Sequence, residues 1–492
     1  MKELSINELL ADLESPSMPN DFDMTQTGIP TPHDANTCDK SLVFLTDKVL
    51  ASDDAIDLLD AYSIPPIAIV TTRSKLVLNS PCPIIRVNNV RLALSYALSR
   101  AYDINYEKIK FIGVTGSNGK TTTAMLIYQI LKLCGFRVGF IGTGKILSCD
   151  IPLTDDTYSM TTPDPTVLYP ALKKMTDDGC EYVVMEVSSH SLALDKVTPI
   201  SFEYAIFTNL DNEHLDFHKT KDEYFKAKLK LFDKAKKGLF NIDDDYGRIA
   251  AESMKCQRST FGILERGDAF ATDVNLKSLS KTSFFYRESD LIFKAQTNLG
   301  GAFNVYNTLA AIKCTIDLGI KPCIVKSALS KIKGIDGRME LIEGKKTVVI
   351  DYAHTPNAFY NCLKTIKSIL NAKQRLIIVF GCGGDRDRGK RSVFGKYAEL
   401  FADEIVITED NSRTELFSDI VSDITSGIST KSFSVIKKRE DAIRHAFKIA
   451  HNGDVIALIG KGHERYKIEG NEYFPFDERA IIEKIKGESE CE

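Results

Sequence analysis

Short apolar runs recur along the chain, and most of them stop at a glycine or a cluster of polar residues. Ile109-Lys-Phe-Ile112, Val138-Gly-Phe-Ile141, Tyr182-Val-Val-Met185, Ala205-Ile-Phe207 and Leu239-Phe-Asn241 predict buried strands. Helically spaced segments lie between several of them, and Thr121–Leu133 is the clearest. Strand and helix in alternation predict a mainly parallel sheet wrapped by helices. Residues 256–300 carry shorter β-like pieces such as Ser283-Phe-Phe-Tyr286, which predict a small antiparallel flap.

A second series of apolar runs follows: Thr347-Val-Val-Ile350, Leu376-Ile-Ile-Val-Phe380, Glu404-Ile-Val-Ile407 and Val455-Ile-Ala-Leu-Ile459. Each ends in a polar or glycine-rich loop: Asp351-Tyr-Ala-His354, Gly381–Gly389, Thr408–Arg413 and Gly460–Glu464. Ligands bind off the carboxyl ends of strands in open α/β sheets, so these four loops predict one shared site. The first hundred residues mix strands at Leu42–Leu45, Ile67–Val70 and Ile84–Val87 with helical stretches near 53–62 and 90–101. The polar stretch Tyr102–Lys108 reads as a linker. The chain therefore divides into units 1–107, 108–335 and 336–492, and 492 residues at roughly 150 per domain agree with three.

The chemistry is clearest at Gly113-Val-Thr-Gly-Ser-Asn-Gly-Lys-Thr-Thr-Thr123, between a predicted strand and a predicted helix. Glycines let backbone N–H groups close around phosphate oxygens, and a helix N-terminus adds partial positive charge. Lys120 would reach the outer phosphates of a nucleotide, and Thr121 would place its hydroxyl on Mg²⁺. One feature departs from the usual loop: Val114 stands where a small residue is normal. The expected fold is α/β: a central P-loop-type, mainly parallel sheet, a C-terminal Rossmann-like α/β domain and a small N-terminal α/β domain.

Other residues are candidates with open alternatives. Glu186 closes a strand, where Mg²⁺ enzymes place an oxygen ligand, though a surface Glu would look the same. His214 sits in the acidic loop Asp211-Asn-Glu-His214 and suits a second metal ligand or a phosphate contact. Lys228 lies on an amphipathic helix with seven lysines between 221 and 237, a pattern that reads as a solvated face. Arg338 and Asp351 flank the first strand of the third unit and suit a phosphate and ribose hydroxyls. The loop Gly381–Arg391 carries four cations among glycines, a composition suited to anions or carboxylates.

Composition narrows the partners. Apolar content is 43%, charged content 26% and net charge −4, so no basic surface for nucleic acid is implied. No apolar run approaches the roughly 18 residues needed to span a membrane, and the first residues lack the apolar core of a signal peptide. A cytoplasmic monomer acting on small molecules is the expectation. The eleven cysteines contain no C-x-x-C pair and read as buried small hydrophobes, except Cys382, whose glycine loop suggests exposure.

Taken in order, these stretches resemble the Mur ligase family, in its UDP-N-acetylmuramoyl-tripeptide synthetase branch. The resemblance runs from about 108 to 466. It rests on Thr115–Thr122, Thr161-Thr-Pro-Asp164, Glu186-Val-Ser-Ser-His190, His214-Leu-Asp-Phe-His218, Ala227-Lys228, Phe303–Asn307, Gly337-Arg-Met-Glu340, Asp351–Pro356, Gly381–Arg386 and Gly460-Lys-Gly-His-Glu464. The family's phosphate loop also lacks a small residue at the Val114 position.

The resemblance implies an ATP-dependent amide ligase acting through an acyl phosphate. Gly116, Ser117, Asn118, Gly119, Lys120, Thr121 and Thr122 would cradle ATP, and Asn304 and Asn307 would lie by the adenine. Arg338 and Asp351 would close from the third domain. Thr121 and Glu186 would hold one Mg²⁺; Glu186, His214 and a carbamylated Lys228 would hold a second. Lys120, Glu186, His214 and Lys228 are thus the implied catalytic set. Thr161, Thr162, Ser188 and Lys196 would meet the UDP-muramoyl peptide. Arg386, Asp410, Asn411, Ser412, Arg413, Gly460 and Glu464 would form the amino-acid pocket, with meso-diaminopimelate favoured over lysine because an arginine fork matches its distal carboxylate.

The first unit departs from the family pattern. Asp34-Ala-Asn36 stands for Asp-Ser-Arg, Lys40-Ser41 for a glycine, Asp53-Asp54 for Asp-Gly and Ser63-Ile64 for Gly-Ala. Lys196 replaces an arginine, keeping the charge and losing the fork. Two further readings stay open: a paralogue that ligates another carboxylate or amine, and a non-catalytic nucleotide-binding relative.

Overall fold

The structure is a computed structural model, and it describes residues 4–11, 27–32, 41–45, 67–72, 83–211 and 213–490. Its centre is an 11-stranded sheet. Seven strands run in parallel across it in the order Val138–Gly142, Tyr182–Glu186, Lys110–Thr115, Phe202–Phe207, Ala235–Asn241, Gln257–Gly262 and Ala269–Asn275. The innermost strands are fully buried because helices cover both faces, which is why they read as continuous apolar runs. Helices Lys120–Leu133 and Ala302–Asp317 bury Leu126, Ile127, Ile130, Leu309 and Ile312 against one face. Helices Pro165–Asp177 and Lys221–Asp233 bury Leu168, Leu172, Leu231 and Phe232 against the other.

The short β-like pieces of 256–300 do not form a separate flap. Ala269–Asn275, Thr282–Glu288 and Leu291–Thr297 continue the edge of the central sheet beyond Gln257–Gly262. Added strands satisfy backbone groups that an edge would leave unpaired. At the opposite edge, Lys145–Ser148 and Ile151–Pro152 add a hairpin.

The C-terminal sheet has six strands in the order Glu340–Ile342, Thr347–Asp351, Val455–Ile459, Leu376–Phe380, Glu404–Ile407 and Ser434–Val435. All neighbours are parallel except the first pair. The order reverses around Val455–Ile459, so the loops after several strands meet on one edge.

In the N-terminal region, Ser41–Phe44, Ala68–Thr71 and Ile84–Arg86 form parallel strands of a five-stranded sheet. Helix Val90–Ala101 buries Ala93, Leu94, Ala97 and Leu98 in the same apolar cluster as Leu168 and Leu172 of the central region. Tyr102–Lys108 is packed rather than a free linker: Tyr106 bonds Ser99 at 2.5 Å and its ring lies 5.9 Å from that of Phe111. The expected helix near 53–62 and the diverged positions Asp34–Asn36, Lys40, Asp53–Asp54 and Ser63–Ile64 lie outside the described residues. Among the described residues, no helix is long and apolar enough to cross a membrane.

Candidate active site

The strand Lys110–Thr115 delivers the chain to a glycine loop, and helix Lys120–Leu133 leaves it. Gly119 caps that helix in a left-handed conformation, and no side chain caps its first turn. The first N–H groups of a helix lack intrahelical partners, so this end is open to an anion. Two glycines are dictated by space. A Cβ on Gly116 would stand 1.9 Å from Thr208 Oγ1, and one on Gly119 would stand 2.5 Å from Asn307 Oδ1. The next strand end braces the loop from behind. Ser117 N donates to Asn209 O, Asn118 N to Asn209 Oδ1, and Thr208 Oγ1 to Asn118 O at 2.6 Å.

Lys120 Nζ donates to Gly116 O at 2.9 Å and Ser117 O at 2.7 Å. Burial lowers its pKa, opposed by the Glu213 and Glu186 carboxylates. Lys228 Nζ donates to the same Gly116 carbonyl at 2.9 Å. Only 1% of Lys228 is exposed, so the solvated lysine face does not include it. It points inward one turn after Tyr224, whose ring lies 4.3 Å from its ammonium. Burial, together with the Lys120 cation, holds its pKa well below that of an ordinary lysine.

Glu186 is fully buried at the end of its strand. Its Oε1 accepts from Thr143 N at 2.8 Å; its Oε2 accepts from Thr121 Oγ1 at 2.9 Å and Thr143 Oγ1 at 3.2 Å. Thr143 follows the neighbouring strand Val138–Gly142 and escaped the sequence reading, although its Gly-Thr-Gly strand end could have marked it. The Thr121 hydroxyl and Glu186 carboxylate are hard oxygen donors facing each other, a set that fits Mg²⁺. His214 stands nearby on a left-handed backbone, φ 57°, with its Nε2 3.7 Å from Glu213. It packs edge-on against the rings of His190 and Tyr224. Its side chain is 42% exposed, yet the crowding around the ring, opposed by Glu213 and reinforced by the Lys120 and Lys228 cations, lowers its pKa to about 4. The neutral imidazole is the form that ligates metals. Among the described residues, no three His, Cys, Asp or Glu side chains converge on a metal position by themselves.

The C-terminal region meets this loop directly. Arg338 Nη2 donates to Thr121 Oγ1 at 2.9 Å, with its guanidinium 4.7 Å from the Tyr352 ring centre. Thr355 Oγ1 donates to Asn118 Oδ1 at 3.2 Å, and His354 Nε2 lies 3.7 Å from Glu213. Asp351 accepts from Met339 N and Ala353 N, which fixes the turn that aims Arg338. Burial raises the Asp351 pKa, opposed by the Arg338 cation. Thr355, Glu213 and Tyr352 were not singled out from sequence.

Asn304 and Asn307 lie behind the loop. Asn307 Nδ2 donates to Asn304 Oδ1, Asn304 Nδ2 to Gly300 O, and Thr123 Oγ1 to Asn307 Oδ1. The implied substrate residues also cluster. Thr161 Oγ1 meets Thr143 Oγ1 at 3.0 Å, Thr162 Oγ1 donates to Glu186 O, and Ser188 N donates to Thr162 Oγ1. Ser188 also caps helix Ser189–Ala193. Lys196 is buried and paired with Asp164 at 2.5 Å, just beyond Thr162.

The four strand-end loops of the C-terminal sheet are bonded to one another. Gly460 N donates to Asp351 O. Asn411 ties its own loop to two others: its Nδ2 donates to Glu464 Oε2 and its Oδ1 accepts from Lys461 Nζ and Ile468 N, while its backbone O accepts from Gly384 N. Lys461 is 1% exposed and also pairs with Asp410 at 3.2 Å. The Lys461 and Arg439 cations hold the Asp410 pKa down against its burial. Burial raises the Glu464 pKa, opposed by Lys461. Arg413, at φ 50°, donates to Gly384 O at 2.8 Å, and Gly384 packs on the Ser412 carbonyl. Among the four cations of 381–391, Arg391 is fully buried on Glu415 and Asp423, Arg388 also pairs with Asp423, and Lys390 donates to His354 O. Arg386 is exposed and has no ion pair among the described residues. Cys382 is 5% exposed, contrary to its expected exposure, because Gly381 tucks the loop against Thr408 and Glu409.

Two family models match this chain: the Mur ligase middle domain over residues 114–315 and the Mur ligase glutamate ligase domain over 337–462. The chain is 42% identical to a Clostridium perfringens protein named UDP-N-acetylmuramoyl-L-alanyl-D-glutamate--2,6-diaminopimelate ligase, with 82% of this chain and 83% of that one covered. The chain belongs to the Mur ligase family. A ligase of the same name from Caldanaerobacter subterraneus subsp. tengcongensis is 38% identical, covering 93% of this chain and 94% of its own. A solved structure bearing that ligase name matches with a TM-score of 0.68 at 26% identity, with 99% of each chain covered. The UDP-N-acetylmuramate–alanine ligase of Thermotoga maritima shares the fold at 19% identity and a TM-score of 0.56, over 88% of this chain and 87% of that one. Members of this Mur ligase family are ATP-dependent ligases, and the Mur ligase fold here is that of such an enzyme.

Proposed function

We propose that this Mur ligase joins meso-2,6-diaminopimelate to the glutamyl carboxylate of UDP-N-acetylmuramoyl-L-alanyl-D-glutamate, with cleavage of ATP to ADP and phosphate. The observation that carries the reading is the convergence on Thr121. Its hydroxyl meets Glu186 from the central sheet and Arg338 from the C-terminal region. Phosphate loop, metal carboxylate and closing arginine thus meet at one atom.

In this mechanism the substrate carboxylate attacks the γ-phosphate and the amine then displaces phosphate from the acyl phosphate. Lys120 turns from the Gly116 and Ser117 carbonyls toward the γ-phosphate and stabilises its developing charge. Arg338 orients the phosphates, and its contact with Thr121 requires the C-terminal region to be closed, which keeps water from the acyl phosphate. Thr121 and Glu186 would hold one Mg²⁺, and Glu186, His214 and a carbamylated Lys228 the second; bound Mg²⁺ supplies charge neutralisation between phosphate oxygens. Carbamylation fits Lys228, since burial and the Lys120 cation lower its pKa and so ease loss of the proton that gives the amine nucleophilic toward CO2. Two like charges then cease to share one carbonyl. Asn304 and Asn307 support the loop from the adenine side. Thr161, Thr162 and Ser188 receive the muramoyl peptide, with Lys196 nearby.

For the amine, Asp410, Asn411, Ser412, Arg413, Gly460 and Glu464 shape the pocket, and Arg386, exposed beside Gly383 and without an ion pair among the described residues, is the cation offered to the substrate. A free guanidinium favours a substrate with a distal carboxylate over lysine. Phosphate release with UDP-N-acetylmuramoyl-L-alanyl-D-glutamate and a panel of amino acids tests the proposal. Release only with diaminopimelate supports it. Release with another amine alone, or with none while ATP still binds, overturns it.

A further inference from the structure

Cys149 and Cys180 stand apart from the site above, and their sulfurs lie 3.5 Å apart. Cys180 is 3% exposed and precedes the strand that ends in Glu186; Cys149 is half-buried. Cys149 and Asp150 form the two-residue turn between strands Lys145–Ser148 and Ile151–Pro152, with φ of 48° and 73°. Turns with two positive φ values favour Asn, Asp and Gly. Asp150 suits its place and is held by Tyr128 Oη at 2.5 Å and Lys132 Nζ at 2.7 Å. A cysteine does not suit its place, because its Cβ is crowded in the left-handed region. Among the described residues no other two thiols are in contact, and this strained one rests on a second.

We propose that Cys149 and Cys180 are a reversible disulfide site, closed by a hydroperoxide. The more accessible Cys149 sulfur, as thiolate, attacks one peroxide oxygen. The O–O bond breaks, hydroxide leaves and takes up a proton, and Cys149 becomes a sulfenic acid. The Cys180 sulfur then attacks that sulfur, the S–O bond breaks and a second water leaves. Overall, two thiols lose two electrons and two protons, and hydrogen peroxide becomes two waters. Burial, with the neighbouring Cys149 thiol, pushes the Cys180 thiol up to about 12, so its proton needs an acceptor. Ser148 Oγ supplies one, 3.9 Å from Cys180 Sγ and donating in turn to Asp178 Oδ2 at 2.5 Å. Asp178 orients that hydroxyl, and the proton passes through it to the hydroxide that leaves as the S–O bond breaks, giving the second water.

The bond would tie the hairpin turn to the root of the Glu186 strand. The segment it closes carries Thr161 and Thr162, and the hairpin it anchors begins beside Thr143. The inference holds whatever carboxylate the ligase uses.

The test treats the full chain with a stoichiometric amount of hydrogen peroxide, blocks remaining thiols and digests without reduction. Mass spectrometry should find a linked pair of peptides containing Cys149 and Cys180, lighter by two hydrogens and separated by dithiothreitol. Cys180→Ala should leave Cys149 as a sulfenic acid that dimedone traps, and Cys149→Ser should leave Cys180 reduced. Two results overturn the site. One is a free Cys149 at the dose that oxidises the exposed Cys323. The other is Cys180 oxidised as readily in Cys149→Ser as in the unaltered chain.

Discussion

Lys120 and Lys228 donate to one acceptor: each Nζ lies 2.9 Å from the Gly116 carbonyl oxygen. Two ammonium groups on one carbonyl repel, and the buried one is the weaker base. A carbamate on Lys228 would reverse the sign of that interaction. Turnover should therefore fall in buffer stripped of CO2 and recover with bicarbonate. Lys228→Ala should lose at least about 10²-fold in kcat and ignore bicarbonate. An unaltered bicarbonate response in the variant would contradict the role.

Glu186→Gln keeps the acceptor for Thr143 N and removes the charge. The Mg²⁺ concentration for half-maximal rate should rise, and kcat should fall by roughly 10²–10³-fold. Fold stability by urea denaturation should change little, since the amide oxygen still accepts from Thr143 N and the amide N–H can donate to the Thr121 and Thr143 hydroxyl oxygens, which then turn their own protons elsewhere.

Gly116 and Gly135 both have positive φ, 144° and 91°, but differ in space. A Cβ on Gly116 meets Thr208 Oγ1 at 1.9 Å, whereas one on Gly135 meets nothing within 4 Å. Gly135→Ala should cost about 1 kcal/mol, the left-handed strain alone, and keep ATP affinity. Gly116→Ala should cost about 3 kcal/mol or more and abolish ATP binding, as read by urea melts and calorimetry.

Arg386 and Arg413 should separate. Arg386→Ala removes a free guanidinium, so KM for diaminopimelate should rise about 10–100-fold while KM for ATP stays within about 2-fold. Arg413→Ala removes the bond to Gly384 O as well, so it should raise KM for diaminopimelate and also loosen the loop, seen as faster proteolysis at 381–389.

Burial pushes the Cys382 thiol up to about 12. Iodoacetamide at pH 9 should modify the exposed Cys323 and spare Cys382. The folded pKa is raised, so this group's stabilisation is complete below about pH 9 and is lost as pH rises toward 12. The melting temperature should fall across that window, and less steeply in Cys382→Ala.

Much of the site was legible because its chemistry depends on local order. A glycine loop between a strand and a helix needs only neighbours in sequence, so Gly116–Thr122 could be read directly. Strand-end placement likewise marked Glu186 and the four C-terminal loops. Lys228 shows where that reading stops. Its helix carries seven lysines between 221 and 237, and nothing local says which one turns inward. The family resemblance points to Lys228, and packing against Tyr224 and the Gly116 carbonyl gives the physical reason it turns inward. Cys382 failed for a related reason, since glycine composition predicts turns but not whether the turned loop is covered.

The sequence by itself determined the alternation of strands and helices, the phosphate loop and the kinship with Mur ligases, because periodicity and glycine spacing act over a few residues. The tertiary structure alone decided three things. It brought Arg338 onto Thr121 from more than two hundred residues away. It buried Lys228, and it gave Arg388, Lys390 and Arg391 of the four-cation loop partners while leaving Arg386 without an ion pair among the described residues. It set Cys149 on Cys180. Each depends on which surfaces exclude water from one another, and that follows from the packing of distant segments rather than from the order of neighbouring residues.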